Sequence, residues 1–314
     1  MTFNARSAMI ALAALGLCSH AASAQTYGFA TLPPGTLNHT TASAVAKVMK
    51  EKAGMNMLVQ PTAGDQVIIP MIARGEAEVG IANAMEVHDA LAKGDKDLRI
   101  IAAAHPLRVG FFVRKDSGIN TMGDLKGKRV PYGFSAMRAL EPTVRAMLAT
   151  ADLTEKDIKP VMVPNVIRSA DDFTSGAADA FYFAFGAPKV REVDATSGGI
   201  RVIAIDDKKM DAARKIERWG YLTEVKPGPV FVGVDQPIKV YSFDNLLFTS
   251  AKTKDEFVHK FLDTLFKNKD DLIAVQPVLR EFTPAFAYKQ YDVPYHPAAI
   301  KYFKDNNIQP QAVQ

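Results

Sequence analysis

Apolar positions along the chain alternate between two spacings. Tyr27-Gly28-Phe29-Ala30-Thr31 reads as a strand and runs into a Pro/Gly turn, Leu32-Pro33-Pro34-Gly35-Thr36. Ala42, Val45, Ala46 and Met49 then recur at three- and four-residue spacing, which predicts a helix over about 39–53 stopped by Gly54. Residues 57–60 form the next strand, 61–65 a turn, 66–74 a short helix ended by Gly75, and 78–82 a third strand. Pro70 inside the short helix removes a hydrogen bond and crowds the previous turn, so a kink or a late start is expected there. This order implies a parallel sheet with helices on its faces.

The rhythm continues with strands at 100–104 and 108–114. A second set follows: strand 129–132, helix about 136–149, strand 161–163, helix 168–175, strand 180–185, helix 187–195 and strand 200–205. Two α/β sets in one chain predict a bilobal protein. An amphipathic helix at about 254–267 and an apolar segment at 275–279 close the chain.

Composition narrows the class. The chain has 314 residues, room for about two domains, and is 48% hydrophobic and 23% charged. Disorder, collagen and coiled coil are excluded as whole-chain readings. The 38 Lys and Arg against 34 Asp and Glu leave a formal charge of +4, spread along the chain. Nucleic acid is not an expected partner, because phosphate binding calls for a dense basic patch.

Residues 1–24 read as a secretory signal peptide. Arg6 supplies the positive n-region, an apolar run of 11 residues spans 8–18, and Ala22-Ser23-Ala24 has the small-x-small form of a cleavage site after Ala24. The run is too short to cross a bilayer, which takes about 20 residues. The one cysteine, Cys18, lies inside this segment behind Leu17, so it is not read as a lipidation site. The processed chain then has no disulfide, thiol nucleophile or cysteine-held metal. A periplasmic location is expected.

Nothing in the sequence demands catalysis. His39, His88, His105, His259 and His296 lack zinc-site spacing, and there is no G-x-S-x-G elbow or Walker loop. Asp171-Asp172 and Asp206-Asp207 are adjacent and so do not share a face; they read as solvated loop or cap residues. No metal or cofactor is expected.

A binding site is better supported. In α/β sheets ligands sit beyond the carboxyl ends of strands, where loops meet helix N-termini. The loops 32–38, 62–66 and 133–138 fit this, each with backbone N–H groups suited to an anion. Thr36, Asn38, Thr62, Gln66 and Ser135 add neutral hydrogen-bonding groups, each equally able to cap a helix. Arg138 falls in the first turn of an expected helix, an unfavourable place for a cation unless an anion offsets it. Asp65 points the other way: it repels an anion and serves instead as a cap or meets an amine. In Phe181-Tyr182-Phe183-Ala184-Phe185, strand alternation puts the phenylalanines on one face; Phe183 and Phe185 are the candidates to line a cleft. Thr31 and Asn83, at strand ends, and Phe134 and Met137, in the third loop, complete the set.

Stretches along nearly the whole processed chain are similar to one family. They are Phe29-Ala30-Thr31-Leu32-Pro33-Pro34-Gly35-Thr36, Gly75-Glu76-Ala77-Glu78-Val79-Gly80-Ile81-Ala82-Asn83 and Asp124-Leu125-Lys126-Gly127-Lys128-Arg129-Val130. Gly176-Ala177-Ala178-Asp179-Ala180-Phe181 with Gly186-Ala187-Pro188, and Val293-Pro294-Tyr295-His296-Pro297, follow in order. Together they resemble the TAXI group of periplasmic solute receptors for tripartite ATP-independent (TRAP) transporters.

That resemblance implies a type II periplasmic binding fold: two α/β lobes with a ligand cleft between them. Lobe one is then 25–112 plus 245–314, lobe two 116–240, with hinge segments at about 112–116 and 240–248. It implies a receptor, not an enzyme. Such a receptor captures a small organic anion, a carboxylate of amino-acid-like or aromatic type, and docks on integral membrane subunits of the transporter. The chain departs from the family in the cleft loops. Pro34-Gly35-Thr36-Leu37-Asn38 lacks the usual tyrosines, Phe134-Ser135-Ala136-Met137 replaces a G-S-G-T turn, and Asp65-Gln66 stands near an expected asparagine. Leu37, Phe134, Met137 and the Phe stripe suggest a more apolar acid than glutamate. The alternatives are the receptor of an ABC importer for an aromatic or sulfonate-type ligand and a sensory module that presents its ligand. A porphobilinogen-deaminase-like transferase would need a cysteine to hold its cofactor, and residues 25–314 have none.

Overall fold

The computed structural model describes residues 25–313. The segment read as a signal peptide, with Cys18 and the expected cleavage site, lies outside the described residues. The chain begins β1 (Thr26–Thr31), α1 (Leu37–Ala53), β2 (Asn56–Pro61), α2 (Asp65–Arg74), β3 (Val79–Asn83), α3 (Ala84–Lys93) and β4 (Leu98–Arg114). It continues β5 (Arg129–Tyr132), α4 (Leu140–Ala149), β6 (Lys159–Met162), α5 (Val166–Thr174), β7 (Phe181–Ala184), α6 (Pro188–Thr196), β8 (Ile200–Val202), α7 (Met210–Ile216) and β9 (Tyr221–Val225). It ends β10 (Ile238–Ser250), α8 (Asp255–Lys267), α9 (Lys269–Val275), α10 (Pro284–Ala287) and α11 (Pro297–Asp305).

The first unit follows the expected order. β1 pairs parallel to β2 on one side and to β3 on the other. Gly54 ends α1 in the left-handed region, at φ 65°, where a side chain is disfavoured. α2 contains Pro70 and starts one residue earlier than the sequence suggests, at Asp65, so the late start is not observed.

One long strand replaces two expected short ones, and a second, over a segment read only as a hinge, pairs with it. Residues 98–114 form one continuous strand, and β10 runs antiparallel to it over most of its length. The break expected around His105-Pro106-Leu107 is absent. Pro106 stands opposite Asp244, next to a register shift between Asn245 and Leu246, an irregularity that accommodates a residue without an N–H. β10 exchanges neighbours along its length: β9 flanks it at 238–242 and β3 at 245–248. β4 likewise gains β7 at Val109 and β8 from Phe112. The exchange on β4 therefore starts ahead of the 112–116 segment named from sequence.

The second α/β unit is joined to these strands through an aromatic core. Phe112 stacks on Phe181 at 5.0 Å and meets Phe185 at 5.0 Å, while Tyr182, on the opposite face, packs edge-on to Phe111 and Phe134. Asp171 and Asp172 are not loop residues: both lie within α5, where Asp172 is largely buried and pairs with Arg168. Asp206 does cap a short helical turn. His296 is buried; its Nε2 donates to the Thr253 carbonyl at 3.0 Å and its Nδ1 accepts from Ala298 N–H.

The C-terminal segment is tied to β10 by a buried charge. Lys289 Nζ lies 2.7 Å from Asp244, and Tyr221 and Tyr291 donate hydroxyl bonds of 2.6 and 2.5 Å to the same carboxylate. Lys289→Met leaves that carboxylate buried without its cation, and the expected loss is about 3–5 kcal/mol. Urea unfolding checks this. A loss below about 1 kcal/mol would mean that the two tyrosines alone hold Asp244.

Candidate functional site

The loops beyond β1, β2 and β5 meet the N-terminal ends of α5 and α6 across one narrow space. Lys189 N–H donates to the Gly35 carbonyl at 3.1 Å, and Asn165 Nδ2 reaches the Ala63 carbonyl at 3.5 Å. Gly64 makes the closest approach. A Cβ placed there would stand 1.9 Å from the Ala136 carbonyl oxygen, so only glycine allows the two loops to touch.

Two spaces open within this junction. The inner one is an apolar cavity of about 40 Å³, bounded by the 32–38 loop, the crossing strands at Leu107 and Phe243, and Met137, Leu140 and Phe183. It holds a few waters at most. The outer one is a groove of about 320 Å³ between α2, α3 and the turn before α4. That volume is in the range of small-molecule sites. Arg138 and Ala139 border the groove, and Met137 and Leu140 border the inner cavity, so one turn separates the two spaces.

A polar cluster lies against the inner cavity, on the crossing strands. His105 and Asn245 face each other in register. His105 Nδ1 contacts the Pro106 carbonyl at 3.0 Å, so that nitrogen carries the proton. Nε2 is left to accept from Thr41 and Asn245, at 3.4 and 3.5 Å. Burial pushes His105 down to about 4, with the Pro106 hydrogen bond opposing the shift, and the ring is neutral at physiological pH. Asn245 also donates to Asn38 Oδ1 at 2.8 Å, and Asn38 lines the cavity.

The groove is acidic. Asp65, Glu86, Asp89 and Asp95 line it against two cations, Lys93 and Arg138. Asp65 and Glu86 are almost wholly buried, while Arg138 and Lys93 are exposed at the rim. Desolvation raises the pKa of both buried carboxyls, and each also senses the other. Among the described residues no group of three or more potential ligands could hold a metal ion.

The sequence-derived candidates divide accordingly. Thr36, Asn38, Met137 and Phe183 line the inner cavity, and Asp65, Gln66 and Arg138 line the groove. Thr62 shapes the loop by donating to the Gly64 carbonyl at 3.1 Å. Asn83 caps α3, accepting from the Glu86 N–H at 2.9 Å. Thr31 is fully buried at the end of β1 and borders neither space. Phe134 and Phe185 are core residues, and Ser135 is exposed beside the groove without lining it. Arg138 is not in a helix: α4 starts at Leu140, so the argument from an unfavourable helix dipole falls away.

Sequence reasoning missed Glu86, His105 and Asn245. Only the fold brings His105 and Asn245 together. Glu86 did leave a signal: Asn83 followed three residues later by Glu is the pattern of a helix start.

The family described as "NMT1-like family" matches residues 29–306. PhnD1 from Prochlorococcus marinus (MIT 9301), solved in complex with methylphosphonate, has a TM-score of 0.57 and 11% identity over 90% of this chain and 99% of its own. The alkanesulfonate-binding protein SsuA from Xanthomonas axonopodis pv. citri, bound to MOPS, has a TM-score of 0.51 and 15% identity over 89% of this chain and 82% of its own. The amino acid ABC transporter substrate-binding protein AbpA from Streptococcus pneumoniae Canada MDR_19A, bound to L-arginine, has a TM-score of 0.50 and 12% identity over 82% and 95%. The fold is that of type II periplasmic binding proteins.

The buried acidic pair makes a stability prediction. A carboxyl whose pKa is raised by folding favours the native state at low pH, and that contribution is lost as pH rises through the raised value. Glu86→Gln removes the charge and supplies a donor to Asp65. Its Tm is expected to exceed that of the wild type by about 2–4 °C at pH 8, with the difference shrinking at pH 5. Differential scanning calorimetry at both pH values checks the sign. A variant less stable than wild type at pH 8 would contradict the burial argument.

Proposed function

The chain belongs to the NMT1-like family, and from that premise and the cleft geometry we propose that it is an extracytoplasmic solute receptor that performs no chemistry of its own. One observation carries this reading: two adjacent antiparallel strands, β4 and β10, run between two α/β units whose loops face each other across a ligand-sized groove. Two strands side by side bend as a hinge, and hinge closure buries a solute between the units.

The proposed division is lobe one at 25–112 plus 245–314 and lobe two at 116–240. The exchange of strand neighbours at Val109 on β4 and between Ser242 and Asn245 on β10 supports a crossing near these segments. The solute is a small organic acid. Arg138 and Gln66, exposed at the groove, are the groups to engage its carboxylate, and Ile69 and Pro70 offer apolar surface to its skeleton.

The order of motifs resembling the TAXI group supports delivery to a TRAP-type transporter driven by an ion gradient. A second reading, an ABC importer, draws on the fold likeness to the ABC transporter protein AbpA. Uptake into cells carrying the receptor with each candidate permease separates the two: a collapsed ion gradient stops the first and ATP depletion the second.

A thermal-shift screen of the refolded, ligand-stripped protein against organic acids tests the receptor reading. A ligand at 100 times its Kd adds about 2.7 kcal/mol. Arg138→Ala with Gln66→Ala is expected to weaken the best hit by about tenfold or more. Unchanged affinity would remove these residues from the site.

A further inference from the structure

Asp65 and Glu86 have no place in a site that binds only anions. They meet at the groove from two different helices, α2 and α3, and are 1% and 3% exposed. Among the described residues no cation and no well-formed hydrogen bond reaches Asp65 Oδ1 or either Glu86 carboxylate oxygen; the two carboxyls sense each other, and Glu86, more weakly, the Ala139 N–H. Buried carboxylates are costly unless paired with a donor or cation. This protein elsewhere supplies such partners. Asp244 has Lys289 and two tyrosines, and Asp172 has Arg168 at 2.8 Å. At the groove the available cations, Arg138 and Lys93, sit at the exposed rim instead.

We propose that Asp65 and Glu86 form a subsite for an ammonium group of the solute. The proposal rests on the receptor reading and adds the chemical group that the solute must carry. An ammonium has three N–H donors and no acceptor, which matches three carboxylate oxygens that lack a well-formed hydrogen bond. A divalent metal ion is a poorer match, since no third ligand accompanies the pair among the described residues.

The pair also sets the proton balance of binding. Two facing carboxyls in a desolvated site do not both ionise, so without a cation they share one proton. Asp89 on α3 and Asp95 beyond it add negative charge and reinforce this; Arg138 and Lys93, at the rim, oppose it. When an ammonium enters, both groups ionise and the shared proton leaves to solvent. Binding is therefore expected to release up to one proton at pH 7, and affinity to weaken as pH falls towards 5.

The test is a matched panel: aliphatic amines, diamines and amino acids, each beside its amine-free counterpart of the same carbon skeleton. Thermal shift finds hits, and calorimetry in phosphate and in Tris at pH 7 counts the protons released. The expected result is that hits are confined to amine-bearing members and release a proton. Asp65→Asn or Glu86→Gln should weaken them about tenfold to a hundredfold. Equal binding of amine-free counterparts, or a binding enthalpy that does not depend on the buffer, overturns the ammonium subsite and leaves the receptor standing. Silence from both halves of the panel counts against both readings. The proton count uses the wild-type protein, so it decides even where a variant fails to fold.

Discussion

The ladder between β4 and β10 is the interaction on which the rest of the molecule depends. Each strand borders the first α/β unit at one end and the second at the other, so each unit is anchored through the same two strands. The constraint is that every backbone group of a buried ladder needs a partner while the neighbours change. The irregularity beside Asn245 and the proline at 106 mark where this is met. Around that point lie side chains that could not be buried without one another: His105, Asn245, Asn38 and Thr41. Arg108 and Glu281 hold the same level of the ladder from outside.

The crossing strands place chemistry as well as fold. Because β3 lies beside β10, the helix that follows β3 is brought against α2, and Glu86 meets Asp65. Because β7 lies beside β4, Phe183 reaches the inner cavity from the opposite unit. The groove thus has an acidic inner wall from one unit and an exposed cation, Arg138, from the other. An amine and a carboxylate on one small solute would each find a complementary group there.

Local signals made much of the fold legible. Gly54 and Gly75 end their helices in the left-handed conformation that glycine favours, and the aromatic run marks β7 as core, although both of its faces are buried and not the phenylalanine face alone. What escaped depends on partners distant in sequence. Residues 98–114 read as two strands because Pro106 interrupts the pattern, and only pairing with β10 makes them one. The helix over Ala84–Lys93 follows β3 without a turn, so its start was hidden although Asn83 caps it. The loops of the candidate site were legible as loops. Which of their side chains face solvent, core or groove was not: Phe134 and Ser135 are neighbours, yet one is core and the other exposed.

The central claim is that two units close on a solute about β4 and β10. Residues 25–314 contain no cysteine, so spin labels can be placed at will. Val67→Cys on α2 and Arg145→Cys on α4 put one exposed label on each side of the groove. The measurement is the distance distribution between them by pulsed electron resonance, in the ligand-stripped protein and with the best thermal-shift hit. The account predicts a broad distribution extending to long distances that narrows to a single short distance when the solute binds. One distance, the same with and without the solute, would contradict hinge closure and with it the receptor mechanism.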